Sequence, residues 1–365
     1  MQEVINFVNL DREHKELEVE LLSSLNKTLL SSDFINSFSL KIFENEFAKY
    51  CGSSYAAGVG SGLDALVLLL KAHGVAPGDE VIVPAHTFIA TWLAVSHIGA
   101  KPIPVDINEK TFNIDVDLIN KAINKKTKAV IVVHLYGQPA ELDSIIKVCR
   151  DNNLIVIEDA AQAHGATYKG RPIGSLGTDG CAFSFYPTKN LGAIGDGGAV
   201  TTNNKDVWDK IKLLRNYGSK EKYNHEIIGF NSRLDEIQAS ILTIKLKKLD
   251  EWNKKRSLIA QRYLKEITNS NIMLPSVIVG THVWHLFVIR IHERNKLATY
   301  LAGKNIQSGI HYPSPPFMQK AYQKNYLNKF PIASKVSKEV LSLPMDPFFS
   351  EHEVQRVVEA VNNFS

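Results

Sequence analysis

Lys189 is the residue in this sequence best placed for covalent chemistry. It lies in Gly180-Cys-Ala-Phe-Ser-Phe-Tyr-Pro-Thr-Lys-Asn-Leu-Gly-Ala-Ile-Gly-Asp-Gly-Gly-Ala199, just past an apolar run and ahead of a glycine-dense turn. An amine crowded there by small and hydroxyl residues loses hydration. Its pKa falls, and the free form can attack a carbonyl to make a Schiff base. Asp159 closes a second apolar run, Leu154-Ile-Val-Ile-Glu-Asp159. Ser61-Gly62 opens a helix whose first N–H groups and positive dipole end suit a phosphate. Singly these are a solvated lysine, an N-cap and a turn. Together they are an amine, an acid and an anion cradle, the three parts needed to hold pyridoxal phosphate. An ionised Asp159 would keep the ring nitrogen protonated, so that the ring can absorb electrons when a substrate Cα–H bond breaks.

The elements that must position these residues follow an α/β rhythm. Apolar strands are expected at 55–60, 80–84, 102–106, 129–134 and 154–159, with helices at 61–72, 87–98, 116–124 and 141–151 between them. That alternation predicts a large, mostly parallel sheet with helices on both faces, in which ligand-binding residues gather at the carboxyl ends of strands. Ahead of it, residues 13–32 read as one helix whose Leu17, Val19, Leu21, Leu22, Leu25, Leu29 and Leu30 pack on the body, and 40–50 as another. Beyond it come a helix at 208–215, a polar flexible loop at 216–229, and one long helix from Asn231 to about Ile267 joining two domains. A strand at 285–291, a helix at 295–305, a proline-rich segment at 308–316 and a helix at 351–362 complete the chain. The expected division is a large domain, 1–245, and a small α/β domain, 246–365.

Composition narrows the function classes. A chain of 365 residues can bury a large core, and its 44% hydrophobic and 22% charged content is that of an ordinary soluble protein. A net charge of +4 is too mild to argue for nucleic acid. Cys51, Cys149 and Cys181 are too scattered for a disulfide framework or a zinc site, and no metal is expected. The opening Met-Gln-Glu-Val-Ile-Asn-Phe lacks the basic and apolar regions of a signal peptide, and the longest apolar run, Ala65–Leu70, is too short to cross a bilayer. A cytoplasmic location is the expectation.

Several longer motifs carry a resemblance. They are Gly60-Ser-Gly-Leu-Asp-Ala-Leu66, Pro84-Ala-His-Thr-Phe-Ile-Ala-Thr91, Val133-His-Leu-Tyr-Gly-Gln138, Glu158-Asp-Ala-Ala-Gln-Ala-His-Gly165, Ser184-Phe-Tyr-Pro-Thr-Lys-Asn-Leu191, Asn231-Ser-Arg-Leu-Asp-Glu236 and Gly309-Ile-His-Tyr-Pro313. With them the chain resembles the sugar aminotransferases of the DegT/DnrJ/EryC1/StrS family, whose fold is the aspartate-aminotransferase-like fold type I, from Phe7 to Pro344. The resemblance implies that Lys189 is the Schiff-base lysine and proton shuttle, that Asp159 pairs with the ring nitrogen, and that Gln162 bonds the ring hydroxyl. It implies that Gly62, Leu63 and Ser184 hold the phosphate and that Phe88 stacks on the ring. Asn231 looks like the phosphate ligand supplied by the partner subunit, which makes a homodimer obligatory for a complete site.

The resemblance also implies the reaction, in which L-glutamate gives its amino group to the cofactor and a nucleotide-linked keto sugar collects it. The Tyr-Pro-Thr-Lys-Asn-Leu-Gly-Ala-Ile-Gly-Asp-Gly-Gly version looks like the branch that aminates C3, closest to makers of dTDP-3-amino-3,6-dideoxyhexoses for surface polysaccharide. Tyr186, His311 and Tyr312 are then the candidates for contacting sugar and diphosphate. Lys220, Lys222, Tyr223 and His225 could screen the diphosphate or simply be solvated. Alternatives are a C4 or aminocyclitol aminotransferase, on a UDP- or GDP-linked keto sugar, and a catalytically silent regulator with the same fold. Two positions depart from the family pattern. Leu63 stands where Thr or Ser is usual, which removes a hydroxyl from the cradle, and Phe317 stands where many relatives have His.

Overall fold

The computed structural model describes residues 3–326 and 329–365. The apolar runs form seven strands of one sheet, β1 (Tyr55–Val59), β2 (Glu80–Pro84), β3 (Lys101–Val105), β4 (Thr127–Val133), β5 (Ile155–Asp159), β6 (Gly180–Ser184) and β7 (Gly198–Thr202). Their order is β1-β7-β6-β5-β4-β2-β3. Neighbours from β6 to β3 run parallel, whereas β7 is antiparallel to both β6 and β1. Near-continuous Val and Ile content fits strands covered on both faces. One face packs on Leu66, Leu69, Val95 and Trp92, the other on Phe43, Phe47, Ile145 and Leu242.

Two helices matter most for the site. Helix α1 (Gly62–Ala72) is capped by Ser61, whose Oγ accepts from the Asp64 N–H at 3.1 Å. It lies so close to β6 that a Cβ on Gly180 would stand 2.3 Å from Leu69 Cδ2. Helix α2 (Ala90–His97) follows β2 and presents Thr91 in its first turn.

A third core, containing Tyr263, Phe287, Leu301, Leu341 and Val357, gathers the C-terminal residues. A short antiparallel pair, Phe287–Arg290 with Val340–Leu343, runs through it. The chain's beginning is sewn into this same core. Ile5 N–H donates to Asn305 O at 2.8 Å, Gln307 N–H donates to Ile5 O at 3.0 Å, and Phe7 N–H donates to Gln307 Oε1 at 3.0 Å.

Three expectations need correction. Residues 13–32 are not one helix: Leu10–Glu16 and Glu18–Ser31 are separated at Leu17 (φ −113, ψ 11). Leu17 and Leu21 are buried, but Val19, Leu22, Leu29 and Leu30 face outward. The long helix after Asn231 starts later and is broken, giving Glu236–Leu246 and α3 (Leu249–Glu266). At the break, Lys247 and Lys248 bond three residues back, to Ile244 O and Lys245 O. No glycine or proline marks that tightening, so apolar periodicity reads straight through it. The 216–229 loop is also more regular than expected, carrying a small exposed hairpin, Ser219–Glu221 with Asn224–His225.

Candidate active site

The carboxyl end of β5 delivers Asp159, and the turn after β6 delivers Lys189. Both are buried. Asp159 Oδ2 accepts from Thr91 Oγ1 at 2.9 Å, and Oδ1 accepts from the Ala161 N–H at 3.2 Å. Burial pushes the Asp159 pKa up, while those two donors and the Lys189 charge pull it back down. For Lys189 burial dominates and lowers the pKa to about 8, with Asp159 holding it from falling further. Desolvation of this amine is thus a property of the fold.

The residues expected to form the anion cradle meet where α1 approaches the end of β6. A Cβ on Gly62 would sit 2.6 Å from Ser184 Cβ, so only glycine lets the helix N-terminus approach so closely. Leu63 is partly buried and packs on the core, so it adds no hydroxyl to this helix start. Gln162, just beyond Asp159, is held at both ends: its Oε1 accepts from the Tyr136 N–H at 2.6 Å, and its Nε2 donates to Tyr312 Oη at 2.9 Å. Phe88 is 53% exposed, with its ring 5.5 Å from that of Tyr312.

His311 borders the same cavity as Lys189. Its ring stacks on Phe7 at 5.6 Å, its Nδ1 shares a hydrogen bond with Ser342 Oγ at 2.8 Å, and burial lowers its pKa to about 4. The Tyr136 hydroxyl donates to the His311 carbonyl and meets His86 Nε2 at 2.8 Å. Gln162, Tyr312 and His311 are therefore joined by hydrogen bonds through Tyr136, while Lys189 acts by its charge on both Asp159 and His311.

Other candidates stand outside that set. Tyr186 is half-exposed, and Asn231, Lys220, Lys222, Tyr223 and His225 are all exposed. Asn231 is nonetheless anchored through its neighbour. Ser232 Oγ accepts from the Gly60 N–H at 3.0 Å and donates to Asp64 Oδ2 at 2.8 Å, tying this stretch to the cradle helix. Phe317 is fully buried, 4.9 Å from the Phe330 ring, and is a core residue. Sequence reasoning missed Thr91, Tyr136 and Ser232. All three lay inside quoted motifs, and a hydroxyl one turn after Phe88 was the available signal for Thr91.

The residues present fit pyridoxal phosphate: a buried, pKa-lowered amine, a carboxylate with its own donors, and a helix N-terminus that a single added Cβ would block. The DegT/DnrJ/EryC1/StrS aminotransferase family model matches residues 15–362. This chain belongs to that family. The aminotransferase is 49% identical to dTDP-3-amino-3,6-dideoxy-alpha-D-galactopyranose transaminase of Aneurinibacillus thermoaerophilus, over 99% of each chain. Its fold matches a crystal structure of S. venezuelae DesV in complex with a ketimine intermediate, with a TM-score of 0.97 and 43% identity over 99% of this chain and 98% of that one. It also matches NtdA from Bacillus subtilis with bound cofactor PMP, with a TM-score of 0.92 and 34% identity over 99% of this chain and 85% of that one. The protein is a pyridoxal-phosphate-dependent transaminase of fold type I acting on nucleotide-linked keto sugars. Among the described residues, no His/Cys/Asp/Glu group is disposed to hold a metal ion, and no helix is long and apolar enough to cross a membrane.

Proposed function

We propose that this aminotransferase moves an amino group from L-glutamate to C3 of a dTDP-3-oxo-6-deoxyhexose, making a dTDP-3-amino-3,6-dideoxyhexose for surface polysaccharide. The observation that carries this reading is the near-full-length similarity to a transaminase named for that product class. In this reading Asp159 pairs with the ring nitrogen, Gln162 with the ring hydroxyl, and Gly62, Leu63 and Ser184 hold the phosphate, with Phe88 against the ring. The bound cofactor supplies the electron sink for breaking a Cα–H bond. Lys189 Nζ carries the proton between the Cα of donor or product and the reacting carbon. Tyr186, His311 and Tyr312 orient the sugar, and Phe7 with His311 keeps bulk water from the amine.

A second copy of the chain completes the site through Asn231. That arm is exposed yet pinned by Ser232, and exposed apolar residues such as Leu30, Phe34, Ile35 and Phe38 support a partner surface. The test of the reaction is spectroscopic. L-Glutamate should bleach the yellow holoenzyme, and one dTDP-3-oxo-6-deoxyhexose isomer should restore the colour. Bleaching without recovery by any dTDP sugar, but with recovery by a UDP- or GDP-linked one, would move the acceptor elsewhere.

Two further outcomes follow from the pKa shifts. Lys189 can attack only as a neutral amine, and with a pKa of about 8 its neutral fraction rises roughly tenfold between about pH 7 and about pH 9, then levels. Capture of pyridoxal phosphate by the apoprotein should follow that curve in stopped-flow absorbance. A rate still climbing steeply above about pH 9 would mean an unperturbed lysine. Thr91→Val keeps the side-chain outline but removes a donor from Asp159 Oδ2. Losing that hydrogen bond should weaken cofactor binding by about tenfold, read by fluorescence titration. Unaltered affinity would show that Thr91 does not support the carboxylate.

A further inference from the structure

Asn190 follows Lys189 in the same motif, is buried, and takes no part in the proton and carbonyl chemistry assigned to its neighbour. The two residues sit in a short loop closed on itself. Lys189 N–H donates to Tyr186 O at 2.9 Å, Ala193 N–H donates to Phe185 O at 2.8 Å, and a Cβ on Gly192 would stand 2.2 Å from Pro187 O. The Asn190 side chain ties that loop to distant parts of the chain. Its Nδ2 donates to Asn253 Oδ1 at 2.8 Å and to Val283 O at 3.0 Å, and its Oδ1 meets His285 Nδ1 at 3.0 Å. Asn253, on α3, in turn donates through Nδ2 to His164 O at 2.9 Å.

Two backbone carbonyls fix the direction of every bond in this network. Val283 O and His164 O can only accept, so both amides have one orientation and Asn190 Oδ1 is left as an acceptor. His285 must then be the Nδ1–H tautomer. Burial, and after it the Lys189 charge, hold its pKa far below the usual range, so the ring is neutral. A buried network in which each donor has its acceptor is rigid, and breaking it part-way is costly. In each half of the reaction the Lys189 amine leaves the cofactor and must rejoin it, so its loop has to stay where it is while the side chain moves. We propose that Asn190 and His285 are positioning residues for Lys189, fastening its loop to α3 and to the segment that leads into the strand Phe287–Arg290, and keeping water out from beneath the amine.

This inference rests on the reading of Lys189 as the Schiff-base lysine, and the experiment separates the two. Asn190→Ala leaves Asn253 Oδ1, Val283 O and His285 Nδ1–H around a hole that water can enter. The ionisable groups that act on Lys189 are not altered by it: Asp159 remains, and burial holds His164, His285 and His311 below their usual range. On the cavity that Lys189 borders, Arg256 and Asp346 offset each other's charge, and Glu13 is paired with Lys245 at 2.7 Å. A moved pH midpoint therefore reports hydration of the amine. Capture of pyridoxal phosphate by the Asn190→Ala apoprotein, followed by stopped-flow absorbance, should slow by about tenfold. Its midpoint should rise from about 8 toward the ordinary lysine value of about 10.4. His285→Leu should shift the curve the same way, whereas His285→Asn, whose Nδ2 stands where Nδ1 did, should bring the midpoint back. Thermal midpoints are measured alongside. Lowered thermal midpoints with the capture curve unmoved would make the network merely structural and overturn the proposal, as would His285→Asn behaving like His285→Leu. If Asn190→Ala does not fold, the two His285 variants decide alone. Failure of the wild-type apoprotein to capture the cofactor would instead overturn the reading of Lys189.

Discussion

Lys189→Ala is expected to lower turnover by about 10⁴-fold or more, because one side chain is asked both to join the cofactor and to carry the proton. No neighbour can substitute. His164, His285 and His311 border this region, but burial holds the pKa of His164 at about 3, that of His311 at about 4, and that of His285 well below its usual range. None offers a primary amine. The loss should not be mistaken for unfolding. Removing a buried amine whose charged form is penalised by desolvation leaves the apoprotein's thermal midpoint unchanged or higher. The pair of measurements is multiple-turnover rate and thermal midpoint on the same preparation. Wild-type turnover in this variant would overturn the assignment of Lys189.

Asp159→Asn should cost about 10²-fold in rate with the fold retained. Asn can still accept from the Ala161 N–H through its carbonyl oxygen while its NH₂ faces the Thr91 hydroxyl, which can rotate to accept, so the local geometry survives. The charge that would keep the ring nitrogen protonated does not. A charge-assisted hydrogen bond is replaced by a neutral one in a buried site, a difference of about 2–3 kcal/mol. A second signature separates this cause from general damage. The Asp159 charge is what raises the Lys189 pKa against burial, so its removal must shift the pH midpoint of cofactor capture downward from about 8. An unchanged rate would remove the ring-nitrogen role, and an unchanged midpoint would separate the two residues electrostatically.

Much of this arrangement was legible in the chain because strand ends are easy to find. Asp159 and Lys189 each follow an apolar run, and a parallel sheet brings such ends together whatever lies between them. Gly62 was legible for a related reason: Ser-Gly ahead of an apolar helix is a local signal. The contacts that fix the site are different in kind. The Gln162–Tyr312 and Tyr136–His311 hydrogen bonds join residues 150 and 175 positions apart, and neither leaves a trace in periodicity. The helix break at Lys247–Lys248 was invisible because nothing in residue type announces it. The outward face of Glu18–Ser31 was misread because periodicity gives a stripe of leucines without saying whether the body or something else lies against it. Phe317 teaches the converse, since a departure from a family pattern turned out to sit in the core.

The stitching of Ile5 and Phe7 to Asn305 and Gln307 bears on how the protein comes into being. A ribosome releases Phe7 300 residues ahead of Gln307, its hydrogen-bond partner. The sheet residues that hold Asp159, Lys189 and the cradle can assemble while synthesis continues, since domains form as units during elongation. Phe7 cannot take its place against His311 until the late residues have emerged. The wall that shelters the reactive amine is therefore the last part of the site that a single chain can supply for itself.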